Sequence, residues 1–143
     1  MISTQSSVLI EKSLDEVFSF VACLDNIPRW VRGSTPRKLS EEPFGEGTLF
    51  EEASGLLGTF VVKVTHYRVN QGFQTHNLSG PLAIKTQGKL DFEAVPEGTR
   101  FRLLHRFTFP WWLRFLEPFL ARKAQRESDE ALRTLKKVLE NHH

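Results

Sequence analysis

The sequence predicts an α+β domain: an antiparallel sheet of six to seven strands wrapped around a long C-terminal helix, with two short helices after the first strand. Three observations predict it. Residues 49–109 read as strand after strand, punctuated by turn residues. Residues 110–141 then form one long helical stretch that begins aromatic and ends charged. Ahead of the strands, Ser13 and Glu16 stand at capping-box spacing, a helix start. A lone long helix after antiparallel strands buries its apolar stripe on the concave face of the sheet. A sheet curled around a helix leaves space between them, so a ligand container is expected.

Each element has its own local reason. Residues 7–11 (Ser-Val-Leu-Ile-Glu) are β-rich and predict a first strand. The helix opened by Ser13 is expected to reach Cys23, with Val17, Phe18, Phe20 and Val21 inward. Asp25-Asn26 caps a second short helix, with Pro28 in its first turn and Trp30 following; Gly33 ends it. Strands are expected over 37–42, 49–54, 59–69, 73–78, 83–95 and 99–109. The last two alternate best. Ile84, Thr86, Gly88, Leu90, Phe92 and Ala94 share one face, as do Phe101, Leu103, His105, Phe107 and Phe109. A two-residue Glu97-Gly98 turn pairs Leu90 with His105 and Phe92 with Leu103. The final helix is expected over about 119–140, with Leu120, Leu132 and Leu135 buried and Pro118 kinking it or marking its start.

Composition bounds the function. The 143 residues suffice for a core without disulfides or metal, and no linker or repeat divides them, so a single domain over 1–143 is expected. Lys and Arg total 19 against 17 Asp and Glu, a net charge of +2 that argues against nucleic acid as a partner. One cysteine, Cys23, forms no internal disulfide and suits a reducing cytosol. No basic region followed by an apolar one opens the chain, and no window approaches a membrane span, so a cytoplasmic protein is expected.

Three stretches carry a resemblance. Val8 to Phe18, with the Ser13 cap, is similar to the opening strand and helix of the START-like (SRPBCC) superfamily. Asp25-Asn26-Ile27-Pro28-Arg29-Trp30 resembles its D-x-x-x-P-x-W stretch, and Gly45-Glu46-Gly47-Thr48 its turn between strands. With the order strand, two short helices, six strands and long helix, the resemblance covers essentially the whole chain. The resemblance implies a helix-grip fold of the polyketide cyclase/dehydrase-like type. It chooses no function, since that superfamily includes lipid carriers, hormone receptors, cyclases and co-chaperones.

The chemistry-bearing residues are few. His105 lies between Leu103 and Phe107 on the apolar face, where an imidazole either orients a ligand carbonyl, acts as an acid or base, or sits as a core histidine satisfied by a hydroxyl. The expected pocket is bordered by His105, Phe107, Leu90 and the start of the long helix, with Leu103, Thr86, Trp30, Trp112 and Phe115 completing the lining. Gly88 and Ala94 leave room on the same face. His66 and His76 flank the 70–72 turn and fall directly opposite or on opposite faces, depending on loop length; no third ligand accompanies them, so no metal is expected. Of Glu51 and Glu52, one faces inward in a regular strand, or both are wet on an edge strand. The turns 55–58 and 79–81 lack phosphate-loop or nucleophile-elbow context.

The aromatic run is ambiguous. Leu113, Leu116 and Leu120 share a stripe that continues through Ala124, Ala131, Leu135 and Val138, which leaves Trp112, Phe115 and Phe119 on a second one. Core filling is the favoured place for these three. The alternatives are a pocket mouth, packing on the two short helices, or contact with a membrane or protein next to Arg114, Arg122, Lys123 and Arg126. The reading is a binder of a small hydrophobic or amphipathic ligand (lipid, quinone or polyketide-like), with no cofactor and no catalytic residue. Two alternatives stand: a cyclase or dehydratase using His105, and an interaction module of the coenzyme-Q-binding type.

Overall fold

The computed structural model describes residues 2–54 and 58–141. Strand β1 (Ile2–Ile10) leads into α1 (Leu14–Val21), a 3-10 turn (Leu24–Asn26) and α2 (Ile27–Trp30). Strands β2 (Arg37–Lys38), β3 (Leu49–Ser54), β4 (Gly58–Arg68) and β5 (Gly72–Ser79) follow. A second 3-10 turn (Pro81–Ala83) precedes β6 (Lys85–Val95) and β7 (Gly98–Thr108), and a 3-10 helix (Trp111–Leu116) precedes α3 (Glu117–Glu140). All seven strands form one antiparallel sheet in the order β1-β7-β6-β5-β4-β3-β2.

Local signals act where they were read. Ser13 accepts from the Glu16 amide at 3.2 Å and caps α1. Pro118 sits in the first turn of α3, where its missing N–H costs nothing. It marks a start rather than a kink, and the aromatic run ahead of it is a separate 3-10 helix. Leu120, Ala131, Leu132, Leu135 and Leu139 form the buried stripe of α3. The inner face of the sheet carries Phe50, Val62, Val64, Phe73, Leu90, Phe92, Phe101 and Leu103, all buried.

One end of that face is closed by aromatics. Phe18 of α1 meets Phe92 at 5.0 Å and Phe73 at 6.4 Å, and Trp30 of α2 stands edge-on to Phe101 at 6.2 Å. Phe44 and Tyr67 join this cluster. At the other end, the second 3-10 turn and the Trp111–Leu116 helix leave side by side, because Lys85 opens β6 opposite Thr108 closing β7.

Helix α3 also fastens the edge strand β1. Gln125 donates to the Gln5 carbonyl at 3.0 Å and accepts from the Gln5 amide at 3.3 Å. Lys136 donates to the Leu9 carbonyl at 2.7 Å, and Glu140 accepts from the Glu11 amide at 2.8 Å. Ser6 donates to Asp129 at 2.6 Å. Side chains of α3 thus satisfy β1 backbone groups that would otherwise face an unpaired edge.

Several expectations are corrected. β1 runs over nine residues, longer than 7–11, because Thr4 and Ser6 serve as buried inward positions, with Ser6 held by Gln125 and Asp129 of α3. β2 is only two residues long, and β6 starts at Lys85, since Leu82 and Ala83 take left-handed backbone before it. The β6–β7 register is shifted by two residues. Leu90 lies opposite Leu103, Phe92 opposite Phe101, and His105 opposite Gly88. Val95 and Gly98 close the hairpin, so the loop is Pro96-Glu97. Proline, with fixed φ and no donor, belongs in the turn, and Gly98 is needed in the strand. A two-residue slip keeps every side chain on its face, so the inward set is unchanged. His76 lies opposite Lys63, while His66 falls in a bulge at φ 53°, exposed and beside Thr65. Residues 55–57 of the expected turn, and His142 and His143, lie outside the described residues.

Candidate functional site

Beyond the aromatic plug, the inner face changes character. His105, Phe107, Thr75 and Glu52 all point to this side by strand parity, yet each stays partly exposed. Inward side chains that keep some exposure border space rather than core. His105 sits deep in this wall. Burial pushes its imidazole below the ordinary 6.5, so the neutral form prevails at neutral pH. Its ring tilts against Phe107 at 5.5 Å, and Phe107 stacks with Phe109 at 6.4 Å.

Gly88 is the reason the imidazole fits. A methyl group at position 88 would lie 3.2 Å from His105 Cδ2 and Nε2 and 2.6 Å from Thr75 Oγ1. The ring of His105 and the hydroxyl of Thr75 therefore converge over the bare backbone of Gly88. The sequence alone does not mark Thr75. Its signal was present in the alternation Phe73-Thr75-Asn77, but only the β5–β6 register brings it opposite Gly88.

A second polar group lies on β3. Glu52 is inward and Glu51 outward, where Glu51 pairs with Arg37. β2 covers the edge, so β3 is not the wet edge strand that would have left both carboxylates in water. Burial pushes the Glu52 carboxyl above the ordinary 4.5, opposed weakly by the nearby Ser34 hydroxyl. Ser34 Oγ is buried without a partner at normal hydrogen-bond distance, as is Trp30 Nε1. A carboxyl that ionises less readily folded than unfolded favours the fold at acid pH, and that contribution fades as pH rises through its raised value. Glu52→Gln should therefore gain stability over the parent at neutral pH, with the gap closing toward acid. Urea midpoints between about pH 4 and 8 check this, and a gap that widened toward acid would contradict the burial of Glu52.

The remaining expected residues divide. Leu90 and Leu103 are buried next to His105, and Trp30 is buried at the closed end. The Thr86 amide donates to Asn77 Oδ1 at 2.8 Å, and Asn77 Nδ2 donates to the Ile84 carbonyl at 2.9 Å. These bonds bridge β5 and β6 where their ladder stops at His76–Gln87, and a groove of about 370 Å³ opens there, lined by Asn77, Gly80, Ile84 and Thr86 among others. Trp112, Phe115 and Phe119 do not fill the core. Phe115 is 77% exposed, Phe119 63% and Trp112 46%, because the 3-10 helix and the outer side of α3 carry them away from the sheet. No group of three His, Cys, Asp or Glu among the described residues is placed to hold a metal.

A seven-stranded antiparallel sheet gripping a long C-terminal helix, with two short helices after the first strand, defines a helix-grip protein of the SRPBCC type. Residues 1–140 match the family described as polyketide cyclase / dehydrase and lipid transport, and the chain belongs to that family. No curated protein sequence matches it. Among solved structures, TTHA0849 from Thermus thermophilus is 15% identical with a TM-score of 0.82, covering 99% of both chains. The di-domain ARO/CYC StfQ of the steffimycin biosynthetic pathway is 13% identical at TM-score 0.80, covering 98% of this chain and 51% of its own. The Aha1 dimer from Colwellia psychrerythraea is 17% identical at TM-score 0.70, covering 98% of this chain and 97% of its own. At these identities the likeness is one of fold.

Proposed function

We propose that this chain is a single-domain cytoplasmic carrier of a small hydrophobic or amphipathic molecule, a lipid, quinone or polyketide-like compound, held between the sheet and α3. The observation that carries the reading is the partly exposed inward wall of His105, Phe107 and Thr75 beyond a closed aromatic end. Leu90, Leu103 and Phe107 supply apolar surface, and Trp30 closes the far end. Neutral His105 donates one hydrogen bond and accepts one, enough to fix a carbonyl or hydroxyl. The family's description, with its cyclases and lipid transport, agrees with such a ligand.

Native mass spectrometry of the purified protein should find a co-purifying apolar molecule. A matched pair of probes tests His105. His105→Phe should weaken binding of a naphthoquinone by about 1–2 kcal/mol, the scale of one lost hydrogen bond. It should leave 2-methylnaphthalene, which lacks the carbonyls, nearly unchanged. Equal losses for both probes would mean that His105 only fills space.

One observation favours a second reading, a cyclase or dehydratase with His105 as acid or base. Thr75 Oγ1 approaches the same point over Gly88 as the imidazole and supplies the second polar group such chemistry needs. Turnover of a polyketide substrate that vanished in His105→Phe, with fold and affinity intact, would establish it over the carrier.

A further inference from the structure

The open end of the sheet is followed by a surface that the pocket does not absorb. Trp111 is 80% exposed, and Trp112, Phe115, Leu116 and Phe119 are exposed with it. Five large apolar side chains within nine residues form a patch well beyond the scattered exposed residues of an ordinary surface. Leu78 and Leu82 add exposed apolar groups around the second 3-10 turn, which leaves the sheet beside the aromatic helix. Leu82 stands at φ 58°, a left-handed conformation that a branched side chain adopts at a cost.

Charge is sorted toward the same place. Over residues 110–126 the chain carries Arg114, Arg122, Lys123 and Arg126 against one acid, Glu117. That excess exceeds the +2 of the whole chain, so the remainder is slightly acidic. At about 100° per residue, Phe119, Arg122, Lys123 and Arg126 cluster on the side of α3 opposite Leu135 and Leu139. Arg114, Arg122 and Arg126 are exposed accordingly. Aromatic rings interleaved with cations on an outward helix face suit the boundary between phosphate headgroups and acyl chains. A second copy of this chain would bring the same excess of positive charge against itself, which disfavours self-pairing.

We propose that this surface, Trp111 to Arg126, docks the protein on an anionic lipid bilayer, with the rings entering the headgroup boundary and the arginines meeting phosphate. Docking there brings the open end of the sheet to the membrane. The carrier reading and this one fail separately, since probe uptake in vesicle-free solution reports only the pocket.

The test is flotation of the full chain with phosphatidylcholine vesicles, with and without phosphatidylserine, followed by tryptophan emission. Wild type should float only with phosphatidylserine, lose binding as salt rises, and shift its emission to shorter wavelength as Trp111 and Trp112 leave water. Trp111→Ala with Phe119→Ala should weaken partitioning at least about ten-fold, as should Arg122→Glu with Arg126→Glu. All four positions are exposed, so both variants should keep the parent's circular dichroism and its naphthoquinone binding in solution. Three results would overturn the proposal: no flotation of wild type, equal flotation with both vesicle types, or a dimer in sedimentation that Phe119→Ala dissolves while vesicles bind nothing.

Discussion

Gly98→Ala should cost the protein at least about 4 kcal/mol, enough to leave much of it unfolded. Gly98 opens β7 at φ +146°, a conformation few side chains adopt. An added methyl would fall 2.2 Å from the Ile10 carbonyl oxygen and 3.0 Å from Glu11 Cα and the Lys12 amide nitrogen, all backbone. Backbone cannot rotate away as a side-chain tip can. The strain would land where β1 ends, where the fully buried Thr99 donates to the Lys12 carbonyl at 2.9 Å. Circular dichroism against urea measures it. A midpoint within experimental error of the parent would mean that the β6–β7 hairpin closes elsewhere than Val95–Gly98.

Phe101→Ala should destabilise by about 3–5 kcal/mol, the range for deleting a large buried ring. Phe101 has no exposed surface, stacks on Phe92 at 4.8 Å, and receives the edge of Trp30 at 6.2 Å. It joins the sheet to α2, so the void would open at the closed end of the inner face. Melting should fall by roughly 10 °C in a chain of this size. The emission of Trp30 should change while that of exposed Trp111 and Trp112 stays fixed. A small loss would show that α1 and α2 collapse onto the gap and that this end is pliant.

The fold was legible where one residue's neighbours decide its state. Ser13 with Glu16 announces a helix start whatever lies around it, and the alternation from Phe101 to Phe109 assigns a face to each residue. Register was not legible, because a slip of two residues leaves that alternation unchanged. Alternation alone allows Leu90 opposite His105 as well as Leu103, and the choice rests on Gly98 meeting Ile10, a contact between residues far apart in the sequence. The site divides the same way. The inward placement of His105 was readable from its own strand, and that of Phe107, Leu90 and Leu103 with it. Thr75 opposite Gly88, and Ser34 near Glu52, needed neighbours on other elements. The aromatic run misled because hydrophobicity alone does not say which side of a helix meets the sheet. The cations at 114, 122 and 126 were the better guide to its outward face.

The clasp of α3 on β1 sets an order of events during synthesis. β1 is made before both of its partners: β7, on one side, follows roughly a hundred residues later, and α3, on the other, later still. Until then the strand has two open edges. Long loops must close before either edge is covered, a topology that folds slowly and late. The polar Ser3-Thr4-Gln5-Ser6-Ser7 run suits that wait, since a strand poor in large apolar groups is a weak template for aggregation. The residues that make β1 hard to recognise as a strand are thus the ones that let it stay soluble until its partners arrive.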